Sequence, residues 1–389
     1  MKTFKYRIYP NKTTQTKLNQ WFGQARYVWN HYLDKRTIAY KETKKSLSFY
    51  DNAKGLTQLK KLSETNWLKE CPSQALQQSL MYLDSAFKDF FSRGKGYPKF
   101  KKRGLCTDAL HFPQGFIIDG NKLSIPKIKD PIKMKLHRAI KGDIKNITLT
   151  RNNAHQYFVS IVTDYSPKHK AKLTKEVGID LGLKDFVVCS DGLKVKIPHF
   201  TNKGAKKLKT LQRHYARTEK GSTNREKARL KVAKHQIHIA NQRLDFLHKL
   251  SSKLIDENQI IATETLAVKN MVRNKRLSKH ISNAGWGTFL TLLEYKGKWY
   301  GRTINKVDKF FPSSKMCNAC GHIKEDLTLS DRTITCKRCG VTYDRDVNAS
   351  KNILQFAVGT TVKACGVLST GVELDSTRQG MSKQEAIGL

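Results

Sequence analysis

Two Cys-x-x-Cys pairs, Cys317/Cys320 and Cys336/Cys339, stand fifteen residues apart in this 389-residue chain. That spacing suits a four-thiolate zinc ribbon, because each pair brings two sulfurs to one side of an ion and two pairs close a tetrahedron around one Zn²⁺. The loop between the pairs is polar and charged, so it has little apolar surface to bury and ligation would supply its folding energy. The competing reading, disulfides or four unrelated thiols, belongs to chains of oxidising compartments. With every ligand a protein thiolate, no coordination position is left open for chemistry, and zinc here is structural.

Three carboxylates stand where carboxylates are costly or directed. Asp180 interrupts the β-type run Val177-Gly178-Ile179-Asp180-Leu181, where burial of its charge is unfavourable unless a cation such as Mg²⁺ meets it. Glu264 ends a second buried-type run, Ile260-Ile261-Ala262-Thr263. Asp346 opens an amphipathic stretch with Ala349, Ile353, Leu354 and Ala357 at helical spacing, and taken alone it reads as an N-cap. Meeting at one edge of a mixed sheet, the three would repel one another unless two divalent cations neutralised them. That is the requirement for two-metal phosphodiester cleavage, in which one ion activates water and the other stabilises the departing oxygen. Asp344 competes with Asp346 for the third position, with a turn or supporting role as its alternative. Asp185 and Asp191 read as turn residues.

The elements that must position these groups follow from periodicity. Phe4 to Pro10 alternates apolar and basic residues, a strand whose Lys5 and Arg7 could face phosphates. Leu18, Trp21, Phe22, Ala25, Val28, Trp29 and Leu33 form a core stripe of a helix beginning near Thr13, and a second helix starts at Ser73 with Leu76, Leu80, Leu83, Phe87 and Phe90. It runs into Ser92 to Gly104, a basic loop with Tyr97 and Phe100 interleaved, read as a nucleic-acid backbone clamp against the alternative of a disordered linker. Short alternating segments between Leu110 and Asp164 predict an antiparallel barrel-like unit that pairs with the first strand. Residues 203–254 form a long helical stretch, broken near Gly221-Ser222-Thr223, with one basic and one apolar face; it suits an RNA–DNA duplex or simply a well-solvated hairpin.

Composition narrows the partners. Lys+Arg is 73 against 32 Asp+Glu, a formal charge of +41, a field that attracts polyanions and makes nucleic-acid binding strongly salt-dependent. No apolar run approaches a membrane span, and Met1-Lys2-Thr3-Phe4-Lys5-Tyr6 has no signal-peptide core, so a cytoplasmic location and no membrane partner are expected. Cys71, Cys106, Cys189 and Cys365 are scattered as reduced thiols would be.

Gly178-Ile179-Asp180-Leu181-Gly182, Glu264-Thr265-Leu266-Ala267-Val268-Lys269-Asn270-Met271 and Asp344-Arg345-Asp346-Val347-Asn348-Ala349, with a zinc ribbon between the second and third blocks, resemble the TnpB family of bacterial insertion sequences, relatives of type V CRISPR effectors. Tyr6-Arg7-Ile8-Tyr9-Pro10 and Phe311-Pro312-Ser313-Ser314-Lys315 extend the resemblance over nearly the whole chain. It implies a multidomain α+β and α/β protein: a wedge β-barrel (1–12 and 106–170), a helical recognition insertion (13–105), an RNase H-like RuvC nuclease domain (171–311, with the basic helical insertion 203–254, resuming at 343–360), a zinc ribbon (312–342) and a disordered tail (361–389). It further implies an RNA-guided, Mg²⁺-dependent DNA endonuclease of a bacterial or archaeal mobile element. Asp180, Glu264 and Asp346 would hold two catalytic Mg²⁺, Cys317, Cys320, Cys336 and Cys339 one Zn²⁺. A guide RNA from the element's end and double-stranded target DNA beside a short adjacent motif would be the partners; protein partners are not indicated. A guide-bound DNA-binding protein or transposition factor without cutting activity is the alternative, as is a transposase that joins strands. The family commonly reads Glu-Asp-Leu-Asn in the second block, whereas Thr265 and Ala267 stand here, which alters the local support of Glu264.

Overall fold

The computed structural model of the chain describes residues 1–198, 200–275, 277–308, 310–328 and 331–364. The chain divides into two compact units, Met1–Lys168 with Phe200–Gln242, and His169–His199 with Arg243–Leu389.

In the first unit, β1 (Lys2–Tyr9) buries Phe4, Tyr6 and Ile8 and turns Lys5 and Arg7 to the other face, the period-two consequence of a pleated strand. The Asn11 side chain accepts the Thr14 N–H at 2.8 Å and caps α1 (Lys12–Thr43), whose expected stripe from Leu18 to Leu33 is buried throughout. Next come α2 (Phe49–Leu59), entered through a Ser48/Asp51 capping box, and a 3₁₀ segment Ser63–Glu70; neither has a long enough apolar period to declare itself in sequence. α3 (Ser73–Arg93) buries Leu76, Leu80, Leu83 and Phe87 and stops at Gly94, whose φ of 59° a glycine adopts without penalty.

Six strands follow, β2 (Asp108–Phe112), β3 (Ile117–Asp119), β4 (Lys122–Ser124), β5 (Ile132–Lys135), β6 (Ile144–Arg151) and β7 (Tyr157–Thr163). With β1 they form one antiparallel sheet in the order β2-β6-β7-β1-β5-β4-β3. The first strand thus lies between β7 and β5, with Phe4 opposite Ile161 and Ile8 opposite Met134, as the expected pairing required. The strand order ends at β2 and β3, so the expected barrel is a half-barrel. Its inner residues and the α1 and α3 stripes make one continuous core. This unit also takes in α4 (Phe200–Arg217) and the start of α5 (Thr223–Glu257). The break between them falls where expected: Gly221 has φ 88° and Ser222 Oγ accepts the Arg225 N–H at 3.1 Å.

The second unit is built on a mixed sheet of β8 (Glu176–Asp180), β9 (Asp185–Cys189), β10 (Lys194–Lys196), β11 (Ile260–Glu264) and β12 (Thr303–Val307), in the order β10-β9-β8-β11-β12. β8, β11 and β12 run parallel, and β9 pairs antiparallel with both β8 and β10. α6 (Val268–Met271), α7 (Ser278–Ala284) and α8 (Trp286–Tyr300) lead into β12, and Phe289, Leu292 and Leu293 of α8 share a core with Leu247, Leu250 and Leu254 of α5 and with Val177 and Ile179 of β8. A hairpin of β13 (Thr333–Thr335) and β14 (Thr342–Asp344) precedes α9 (Arg345–Ala364). Ile353 and Ala357 of α9 pack with Ala262 and Val307. Gly178 permits that approach, since a Cβ there would stand 2.0 Å from the Ser350 carbonyl oxygen. Helix α9 continues through Ala364; the remainder of the tail expected to be disordered, 365–389, lies outside the described residues. Among those described, no helix is long and apolar enough to cross a membrane.

Candidate functional site

β8 and β11 are parallel neighbours with Ile179 opposite Thr263, so the next residues, Asp180 and Glu264, end adjacent strands at the same edge of the sheet. α9 begins directly after β14 and carries Asp346 in its first turn. The cap of that helix is Asp344: its Oδ1 accepts the N–H groups of Asp346 and Val347 at 3.1 and 3.0 Å, and its Oδ2 meets Lys194 Nζ at 2.6 Å. Asp344 is thereby engaged on both oxygens, and Asp346 is relieved of the capping role it has when read alone.

The electrostatics tie the three acids together. Burial pushes the Asp180 carboxyl up to about 7, and the negative charges of Glu264 and Asp346 push the same way, against the Arg345 guanidinium and the Leu181 N–H. Asp346 is held by two arginines, Arg345 Nε on Oδ1 at 2.9 Å and Arg332 Nη1 on Oδ2 at 3.2 Å. Glu264 Oε1 accepts a hydrogen bond from Ser313 Oγ. The residue after Glu264 stays in the ladder, Thr265 N–H donating to Val307 O at 3.0 Å, so the departure at position 265 leaves the strand end supported by backbone. Arg332, Arg345 and Ser313 escaped the reading of the sequence as site residues; the runs containing Ser313 and Arg345 carried a signal, and that was resemblance, whereas Arg332 carried none. Asp185, expected in a turn, opens β9 and is buried, whereas Asp191 does lie in a turn and pairs with Lys175 at 3.0 Å.

The cysteines converge more tightly. All four sulfurs lie within 4.8 Å of one another, the one such grouping of three or more His, Cys, Asp or Glu ligands among the described residues. Sγ separations of 3.8 Å for Cys317 to Cys339 and 3.6 Å for Cys320 to Cys336 match the edge of about 3.8 Å expected of a tetrahedron with Zn–S bonds of about 2.3 Å. The two knuckles are built alike. Gly321 N–H donates to Cys317 O and Gly340 N–H to Cys336 O, both at 2.9 Å, and these glycines take φ of 72° and 70°. Backbone N–H groups of Cys339 and Arg338 pull the Cys336 thiol down, toward the thiolate that a metal needs, while Cys320 beside it is pushed up by desolvation and by sharing hydrogen bonds with the other three sulfurs. The donor set fits zinc. Asp180, Glu264 and Asp346 do not form a grouping of that kind.

The basic loop after α3 is held in place rather than free. Asn30 pairs with both backbone groups of Lys101, at 2.8 and 3.0 Å, Trp29 Nε1 donates to Lys99 O at 3.1 Å, and Tyr97 OH meets Thr37 Oγ1 at 2.9 Å. Lys95, Lys99, Phe100, Lys102 and Arg103 remain exposed on it. On β1, Lys5 and Arg7 lie over the Phe158 ring at 4.7 and 5.2 Å. The basic faces of α4 and α5 are not uniform: Lys206, Lys207, Lys209, Arg213, Lys227, Lys231 and Lys234 are exposed, while Arg225 donates to the carbonyls of Thr218 and Tyr215, and Arg229 pairs with Glu226.

Comparison with known proteins gives the chain its relatives. The OrfB_IS605 family, described as "Probable transposase", matches residues 157–275, a "Cas12f1-like, TNB domain" matches 286–353, and a "Helix-turn-helix domain" matches 1–45. A Streptomyces pristinaespiralis protein named "Putative RNA-guided DNA endonuclease" is 37% identical over 391 residues, 99% of this chain and 96% of that one. InsQ of Escherichia coli K12, named in the same words, is 32% identical over 386 residues, 94% of each chain. In fold, the chain resembles the protein in the structure of a "Cas12f1-sgRNA-target DNA complex", with a TM-score of 0.56 at 16% identity, covering 88% of this chain and 83% of that one.

Proposed function

Because the chain belongs to the TnpB family, we propose that it is an RNA-guided DNA endonuclease whose nuclease centre is Asp180, Glu264 and Asp346. The observation that carries this reading is the placement of Asp180 and Glu264 at the ends of adjacent parallel strands, with the Asp180 carboxyl raised by desolvation and by the charges of Glu264 and Asp346. Such a cluster is poorly stable without cations and well suited to them. Two Mg²⁺ held there would supply an activated water and stabilisation of the departing oxygen. The protein's own part is orientation. β8 and β11 hold Asp180 and Glu264 at adjacent strand ends, and Asp344 caps α9 so that Asp346 is not needed as the cap; Arg345 and Arg332 pair with the two oxygens of Asp346, contacts that bound cations would have to share or displace.

The mixed sheet of the second unit supports an RNase H-like, RuvC-type domain, resuming after the ribbon of 312–342, in which Cys317, Cys320, Cys336 and Cys339 hold structural Zn²⁺. The half-barrel would be the wedge and α1 to α3 the recognition insertion. Guide RNA and target duplex are the polyanions that the +41 charge suits, with sequence read by base pairing and a short adjacent motif read by protein.

The test is cleavage of a plasmid library with randomised flanks beside a guide-matched target, by protein co-expressed with its element end. Metal-dependent, guide-dependent cutting that Asp180→Ala abolishes is expected, and the depleted flanks give the motif. Guide-dependent retention of target without cutting would instead make the chain a guide-bound DNA-binding protein.

A further inference from the structure

The segment that leads into the first zinc knuckle is gripped by one face of α9. Asn348, Asn352 and Gln355, spaced i, i+4 and i+7, all reach it. Asn348 Oδ1 accepts the Asn318 N–H at 2.9 Å, and its Nδ2 donates to Met316 O at 2.6 Å. Asn352 Nδ2 donates to Met316 O at 2.6 Å and to Ser313 O at 2.8 Å. The Asn318 side chain completes the set, donating to Asn352 Oδ1 at 3.0 Å and Gln355 Oε1 at 2.9 Å. Asn352 is fully buried and Ser313 nearly so. A buried polar network of this kind is rigid when satisfied and unfavourable when broken.

Its far end is the Ser313 hydroxyl on Glu264. A glutamate has three side-chain torsions, the last of them broad, so a carboxylate at a strand end does not orient itself. Ser313 supplies the missing constraint, and Asn352 fixes the Ser313 backbone to the helix that also carries Asp346. Two acids from different elements are thereby referred to one frame.

We propose that Ser313 is a positioning residue for the Glu264 carboxylate, held in register by Asn352, and that through them the attachment of the zinc ribbon to α9 sets the geometry of the acid cluster. This rests on the nuclease reading above. Partners of this kind behind a metal-binding carboxylate typically govern affinity by about 10- to 100-fold.

The experiment uses the full chain with its guide RNA and measures Mn²⁺ binding by electron paramagnetic resonance beside the Mg²⁺ dependence of cutting. Ser313→Ala should raise the half-saturating Mn²⁺ and Mg²⁺ by about tenfold, with guide retention and target binding unchanged and a smaller loss of rate at saturating metal. Ser313→Thr, which keeps the hydroxyl, should restore the wild-type curve, and Ser313→Val, of the same shape without it, should not. This pair isolates the hydroxyl even where alanine disturbs folding. Wild-type binding with an unchanged curve for Ser313→Ala and Ser313→Val overturns the proposal alone. Absence of Mn²⁺ binding by the wild-type complex overturns the nuclease reading and this one with it.

Discussion

The four cysteines and the three acids are both candidate clusters of anionic ligands, the acids by the reading proposed above, yet they are assembled in opposite ways. Each cysteine pair is closed by its own knuckle, with a glycine at positive φ and a hydrogen bond back to the first cysteine carbonyl, so half of the geometry exists in a few residues. The carboxylates come from two strand ends and a helix start that meet only when β8, β11 and α9 pack. A local cluster is stabilised by its own ligation, whereas a non-local one is held against its own repulsion by the rest of the fold.

The largest expected break in this contrast is Cys336→Ser. Structural zinc contributes on the order of 10 kcal/mol to small sites, so the ribbon should lose its ordered hairpin. Hydrogen exchange should rise across 316–344 and zinc content should fall, while protection of β8 and β11 changes far less. Equal loss in the sheet would mean that the two clusters fold as one unit.

A moderate effect of opposite sign is expected at the carboxylates. The Asp180 carboxyl is raised from 3.8 to about 7, so in metal-free protein its ionisation opposes folding. That cost is absent below the unfolded value, grows as pH rises from about 4 to about 7, and is constant above. Asp180→Asn should therefore raise the thermal midpoint of the metal-free protein at pH 8, with the gain vanishing toward pH 4. Added Mg²⁺ should stabilise the wild type and not the variant. A gain independent of pH would remove the electrostatic account.

The smallest effect separates solvated from structural cations in the first unit. Lys231→Ala should lower the slope of log affinity for nucleic acid against log salt by about 1 without changing the melting temperature. Arg225→Ala should do the reverse, because its guanidinium is committed to the carbonyls between α4 and α5.

Legibility followed the same division. The α1 stripe, the alternation of β1 and the cysteine knuckles were readable because each rests on a period or a short spacing. The 3₁₀ segment at Ser63–Glu70 and the edge strand β2 carry too few residues for a period to register, and β12, though a full strand of the second sheet, shows no clean alternation in Thr303–Val307. Asp344 and Asp346 were ranked only by the motif register of the family resemblance, which favours Asp346, since by residue type either suits a helix start. The hydrogen bonds of Asp344 to two backbone N–H groups and its pairing with Lys194 show which of the two is the cap.

The sequence by itself determined the thiolate set, the basic field and the candidate acids, because residue type and short-range spacing are enough to define ligands and charge. The tertiary structure decided which acid caps a helix, that Arg332 and Arg345 hold Asp346, and that Ser313 holds Glu264. Those relations depend on side chains brought together from distant positions, and no local propensity encodes a hydrogen bond between residues 264 and 313.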